Sequence, residues 1–261
     1  MTNNTTRHAG HISQDSTEKR MLSCAVRNDF RRNTRPLTVG AKVMAKRTLV
    51  CIDPGHGGKQ CGAVSKTFGY KESDIVLDIS MLVSAYLMYA VRDTISGGWI
   101  LSDVCPYIPE LPVDVIMTRA SDIEVTLSER CTFANKAKAS CFVSIHCNSY
   151  NGVTANGIET WYYKSGSRLS KTFANEVHDA IMIETGKFRV TEKDGTRHAP
   201  KNRGVKTNSS YYTLKHTTMP SLVVECGFMS HDGEVKLMMT DEYKAALARG
   251  IARGILNTFA T

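Results

Sequence analysis

Short apolar runs rich in β-branched residues alternate with stretches of helical periodicity along most of the chain, and this alternation limits the fold more than any other feature. Thr48-Leu-Val-Cys-Ile-Asp53 reads as a buried strand that ends in the turn Pro-Gly-His-Gly-Gly. Ile75, Ile79, Leu82, Val83, Tyr86, Leu87 and Ala90 then recur on one face of a helix that begins near Glu72. Further strands are predicted at Val113 to Thr118, Cys141 to His146, Ile158 to Tyr163 and Ser221 to Cys226. Helices are predicted from the capping-box pattern Thr126-Leu-Ser-Glu129 to about Ala139, from Arg168 to Glu184, and over the C-terminal stretch. Residues 186 to 204 read as a polar loop. The expected architecture is α/β: a single open, mostly parallel sheet with helices on both faces.

Composition separates a tail from this body. The formal charge is +8 over 261 residues. Residues 1–47 hold ten Lys/Arg against three Asp/Glu, a balance of +7, which leaves +1 for residues 48–261. The expected organisation is therefore a basic, disordered tail (1–47) and one folded domain (48–261). The tail offers an anionic surface contact, although a solvated leader is the plainer reading. Met44-Ala45-Lys46-Arg47 also resembles a translation start, so the tail reads equally as an extension. The domain, nearly neutral, gives no reason to expect nucleic acid as a partner. No apolar run is long enough to span a bilayer and no secretion signal is visible, so the expected location is the cytoplasm of the producing cell. The eight cysteines include no Cys-x-x-Cys pair and several fall inside strand patterns, which favours reduced thiols. The connection from Arg92 to Pro112, rich in Gly and Pro, has no assigned role.

Four polar residues stand where strand patterning stops. His56 follows the first strand, Glu72 opens the first helix, His146 closes the third strand, and Glu225 lies near the end of the last. Loops leaving the carboxyl ends of parallel strands share one sheet edge with the N-termini of the following helices, so the four can converge there. Glu72, three residues before Ile75, lies on the helical face that points to the sheet. Two imidazoles and a carboxylate with a further carboxylate as base form a known zinc-hydrolase set. Each member alone has a plainer reading: His56 as a loop residue, Glu72 as a carboxylate complementing the helix dipole, His146 as a strand-end residue. Glu225 is harder to dismiss, because it interrupts the apolar run Ser221-Leu-Val-Val-Glu-Cys-Gly-Phe228.

Seven blocks of sequence resemble the zinc-dependent N-acetylmuramoyl-L-alanine amidases of the Amidase_3 family, in the family's order. They are Leu49-Val-Cys-Ile-Asp-Pro-Gly-His-Gly-Gly58; Glu72-Ser-Asp-Ile-Val-Leu77; Met117-Thr-Arg119 with Leu127-Ser-Glu-Arg130 and Ala134-Asn135; Phe142-Val-Ser-Ile-His-Cys-Asn148; Gly157-Ile-Glu-Thr-Trp-Tyr162; Arg203-Gly-Val-Lys206; and Met219-Pro-Ser-Leu-Val-Val-Glu-Cys-Gly-Phe-Met-Ser230. The resemblance spans about residues 48 to 256. It implies His56, Glu72 and His146 as ligands of one Zn²⁺ per chain, Glu225 as the catalytic carboxylate, and peptidoglycan as the partner. Asn148 and Arg203 border the implied cleft as substrate-binding candidates. Arg119, Arg130 and Asn135 read as structural, and Asp53 as either a support for a ligand histidine or turn chemistry. The implied reaction is hydrolysis of the amide joining N-acetylmuramic acid to L-alanine, for lysis or wall remodelling, with a phage lysin the better fit to the absent signal. Competing readings are a zinc peptidase cutting within the stem, and a non-catalytic or partner-activated wall-binding protein.

Overall fold

The computed structural model describes residues 47–93, 96–101, 113–152 and 154–260. Residues 1–46 of the basic tail, residues 94, 95 and 102–112 of the 92–112 connection, and two of the eight cysteines lie outside the described residues.

The central sheet has six strands: β1 (Thr48–Pro54), β2 (Val113–Met117), β3 (Cys141–Asn148), β4 (Ile158–Tyr163), β5 (Asn202–Asn208) and β6 (Ser221–Phe228). Their order across the sheet is β2-β1-β3-β6-β4-β5. β2, β1, β3 and β6 run parallel; β4 pairs antiparallel with β6, and β5 runs parallel to β4. The expected α/β fold with a mostly parallel sheet is the one present. β5 corrects the loop expected over 186–204. That segment also contains a two-residue hairpin, Val190–Thr191 against Arg197–His198, ahead of β5.

Strand alternation gives the sheet two different faces. Val50, Ile52, Val143, Ile145, Leu222 and Val224 project to one side and join the main core. Three long helices close that core, α1 (Glu72–Met88), α3 (Arg168–Thr185) and α6 (Asp241–Phe259), and Val235 and Met238 join it from a short helix after β6. α6 packs tightly on α3, because a Cβ on Gly254 would stand 2.4 Å from the Val177 Cα and one on Gly250 2.5 Å from the Ile181 Cα. Cys51 and Phe142 project to the other side and meet Ala134 of α2 (Leu127–Ala137). This second layer is thin: α2 and the five-residue α4 (Tyr212–His216) cover only part of the sheet. α5 (Asp232–Met238) follows β6.

Local chemistry fixes the elements near the site. Thr126 caps α2 with a full capping box, its hydroxyl accepting from the Glu129 N–H while the Glu129 carboxylate accepts from the Thr126 N–H. α1 carries Glu72 and Asp74 in its first turn, where acidic side chains suit the helix dipole. The six described cysteines are free, and burial pushes the thiols of Cys51, Cys141, Cys147 and Cys226 up so that they stay protonated. Among the described residues no helix is long and apolar enough to cross a membrane.

Candidate active site

The turn after β1 is held in shape by two buried arginines. Arg119 donates from Nε to the Pro54 carbonyl and from Nη2 to those of Gly55 and Ser73. Arg130 donates from Nη1 to the Pro54 carbonyl and from Nη2 to that of His56. Three successive carbonyls are thereby satisfied, and His56 is kept in the left-handed region at φ 57°, a conformation that costs a non-glycine residue about 1–2 kcal/mol. Asp53 anchors Arg130 at 2.7 Å and also accepts from the hydroxyls of Thr118 and Ser144. Among the described residues it hydrogen-bonds to no histidine, so of its two sequence readings the support for a ligand ring is not the one seen. Its role is to fix the arginine that fixes the turn. Asn135 ties α2 to the chain before β6, donating to the His216 carbonyl and accepting from the Thr218 N–H.

His56, Glu72 and His146 meet at the carboxyl edge of the strands. His56 Nε2 lies 3.2 Å and His146 Nδ1 3.0 Å from Glu72 Oε1, and the two rings stand edge to face at 4.9 Å. Glu72 is 3% exposed. Its Oε1 also accepts from the Cys147 N–H and its Oε2 from the Ala63 N–H. Burial would raise this carboxyl's pKa, but the facing His146 and His56 rings overcome it and hold the group well below the usual carboxylate range. The three side chains each offer one ligand atom, all within 4.8 Å of one another.

Those residues fit a divalent cation. Ligand atoms around a tetrahedral zinc stand about 3.3 Å apart, given bonds near 2.0–2.1 Å, close to the separations from the rings to Glu72. The surroundings leave no room for an extra side-chain atom: a Cβ on Gly62 would lie 2.5 Å from Glu72 Oε2, and one on Gly55 2.4 Å from His146 Cε1. A cleft of about 380 Å³ opens beside the histidines, walled by Gln60, Arg130 and the Glu124–Leu127 segment at the start of α2.

Glu225 stands one strand away from the cluster, in register with His146. It is 8% exposed and its Oε2 is buried with no hydrogen-bond partner among the described residues. A bulge between Glu225 and Phe228 follows it immediately, with Gly227 at φ 153°; bulges of this kind re-aim side chains at strand ends. Burial, together with the charges of Glu72 and Glu159 and against that of His146, pushes the Glu225 carboxyl up to about 7. Such a group can take and return a proton near neutral pH.

Asn148 and Arg203 are not among the residues lining the cleft beside the histidines, and both bond to a residue to which the sequence reading gave no role. Glu159, in register with Glu225 on β4, accepts from Asn148 Nδ2 at 2.9 Å and from Arg203 Nε at 2.6 Å. Trp161, Lys206 and Tyr211 complete the surroundings. Glu159 had a legible signal, since it interrupts Ile158-Glu-Thr-Trp-Tyr-Tyr163 just as Glu225 interrupts its own strand.

A three-donor pocket beside an unpaired buried carboxylate, on the carboxyl edge of an α/β sheet, is the arrangement of a hydrolase able to use a divalent metal. The profile described as N-acetylmuramoyl-L-alanine amidase matches residues 50–95 and 103–257, and the chain belongs to that family. It is 31% identical over 210 residues to an uncharacterized cell wall amidase of Bacillus anthracis, covering 80% of this chain and 35% of that one. It is 33% identical over 209 residues to the endolysin of Bacillus phage SPP1, covering 79% of this chain and 64% of that one. The chain thus spans about a third of the first relative and under two thirds of the second. Among solved structures, an N-acetylmuramoyl-L-alanine amidase from Clostridium difficile 630 superposes with a TM-score of 0.66 at 30% identity, covering 82% of this chain and 97% of that one.

Proposed function

We propose that this chain hydrolyses the amide between N-acetylmuramic acid and L-alanine in peptidoglycan, with one Zn²⁺ held by His56, Glu72 and His146. The observation that carries the reading is the buried, unpartnered Oε2 of Glu225 one strand from three convergent ligand atoms. Zinc at such a set, when bound, makes water a stronger acid and polarises a carbonyl. Glu225 accepts the proton of the attacking water as its oxygen bonds to the lactyl carbonyl carbon. The same carboxyl then delivers that proton to the L-alanine nitrogen as the C–N bond breaks, leaving a muramoyl carboxylic acid and a free amine. In the metal-free protein burial already raises this carboxyl's pKa, which suits a group that must give its proton back. Arg119 and Arg130 act at a distance, by fixing the turn that presents His56.

Polar side chains continue from the metal donors across β3, β6 and β4 in one row, His146, Glu225 and Glu159, which suits an extended substrate. Asn148 engages its amide with Glu159 and the Ser149 N–H, so it acts as a positioning group, whereas Arg203 remains available to substrate. Kinship with a phage endolysin supports a use in wall lysis, with the protein made in the cytoplasm and acting after release. The basic tail, residues 1–47, is proposed as a separate segment that adds contact with anionic surfaces.

Digestion of peptidoglycan sacculi followed by mass spectrometry tests the reading. Stem peptides beginning at L-alanine are expected, abolished by a chelator and restored by zinc. Fragments cut within the stem would indicate a peptidase, and intact sacculi with zinc bound would indicate a binding or partner-activated protein.

A further inference from the structure

Beyond Glu225, on the side away from the histidines, Glu159 organises a second charged cluster. It is 2% exposed, and each of its oxygens accepts two hydrogen bonds. Oε1 accepts from Asn148 Nδ2 at 2.9 Å and Trp161 Nε1 at 3.1 Å; Oε2 accepts from Arg203 Nε and Lys206 Nζ, both at 2.6 Å. A carboxylate so fully engaged has no lone pair left for proton transfer. Although burial opposes it, Arg203 and Lys206 hold it below the usual carboxylate range. Glu159 is therefore a positioning residue, and what it positions is a pair of cations.

One cation would suffice to neutralise a buried carboxylate. The second is in excess of what Glu159 itself needs, and both cations keep donors free. Their side chains are 32% and 31% exposed. Arg203 Nη2 makes no hydrogen bond among the described residues, and Lys206 Nζ uses only one of its three N–H groups. Their positions are further fixed by aromatic rings, Arg203 lying 4.9 Å over Phe228 and Lys206 5.1 Å over Trp161. Tyr211 meets Trp161 edge-on at 5.7 Å and completes an apolar wall.

We propose that Arg203 and Lys206 form a carboxylate subsite for the peptide stem, reading the free α-carboxylate of the second stem residue on the leaving-amine side of the scissile bond. The proposal rests on the hydrolytic reading above for the position of that bond. His146, Glu225 and Glu159 lie in one row across three neighbouring strands, each step about 4.8 Å. A stem of two residues reaches at most about 7 Å, enough to carry a carboxylate from the proton donor Glu225 to the cations bound on Glu159. The cleft beside α2, on the opposite side of the histidines, is left for the sugar.

The test is calorimetric binding to the zinc-loaded full chain of two C-terminally amidated tripeptides, L-Ala-γ-D-Glu-L-Lys and its α-carboxamide counterpart. They differ only in the charge at issue. The acid is expected to bind about tenfold more tightly, the scale of one charge-assisted hydrogen bond. Lys206→Met and Arg203→Gln should each erase most of that preference while zinc content and melting temperature hold. The same pattern should appear in KM, with little change in kcat, for the matched muramoyl peptides. Equal binding of both peptides by the wild type, or an intact preference in both variants, would overturn the subsite. Cleavage of sacculi without the preference overturns the subsite alone, and the preference without cleavage overturns the hydrolytic reading alone.

Discussion

The two faces of the central sheet are made by alternate residues of the same strands, yet they do different work. On β3, Val143 and Ile145 enter the three-helix core while Ser144 and His146 point to the thinly covered side. On β6, Leu222 and Val224 do the former and Glu225 lies among the polar groups of the latter. Aliphatic burial on one side supplies stability, which lets the other side carry buried carboxylates and histidines that contribute little to it or oppose it. Strand parity therefore predicts what a substitution should do.

The sharpest separation is expected at the metal donors. His146→Ala or Glu72→Gln should reduce bound zinc from one per chain to none and abolish amide cleavage, with the far-ultraviolet circular dichroism retained; zinc assay and sacculus digestion check this. On the opposite face, Leu222→Ala should cost about 2–5 kcal/mol of unfolding free energy with kcat per folded molecule unchanged. Urea titration beside a turnover assay would break the comparison if kcat fell instead. Arg130→Ala tests where the two roles meet, because the Asp53–Arg130 pair is buried on the site's own face and holds the His56 turn. Loss of about 3–5 kcal/mol together with weaker zinc affinity is expected, and loss of only one of these would sharpen the division of labour.

A smaller effect concerns pH. In the metal-free protein the Glu225 carboxyl is raised to about 7 by burial, so between the unfolded value near 4.5 and about 7 the folded state keeps a proton that the unfolded chain releases. Stability from this group is full below that window and lost as pH rises through it. Glu225→Gln should flatten the fall in melting temperature over that range without removing it, because Glu234, also raised to about 7 by burial, acts in the same direction.

The alternation of strands and helices is a strong local signal, and it placed the parallel core and brought His56, Glu72, His146 and Glu225 to one edge. β5 was not legible, because Asn202-Arg-Gly-Val-Lys-Thr-Asn208 is an edge strand with a single aliphatic side chain and no apolar alternation. The antiparallel direction of β4 is likewise absent from its pattern, since a half-buried strand reads the same either way. Asp53 was ambiguous for a different reason: its partners Thr118, Arg130 and Ser144 lie 65 to 91 residues away, and spacing alone says nothing of such contacts. The Glu159 cluster shares that difficulty, as it joins β3, β4 and β5.

The most direct test of the division between the faces is to measure zinc content and amide cleavage together in Glu225→Gln. A protein that binds one zinc per chain as the wild type does, while kcat falls by about 10²–10⁴, is the predicted result. Cleavage at the wild-type rate with zinc bound would contradict it, and would remove Glu225 from the chemistry altogether.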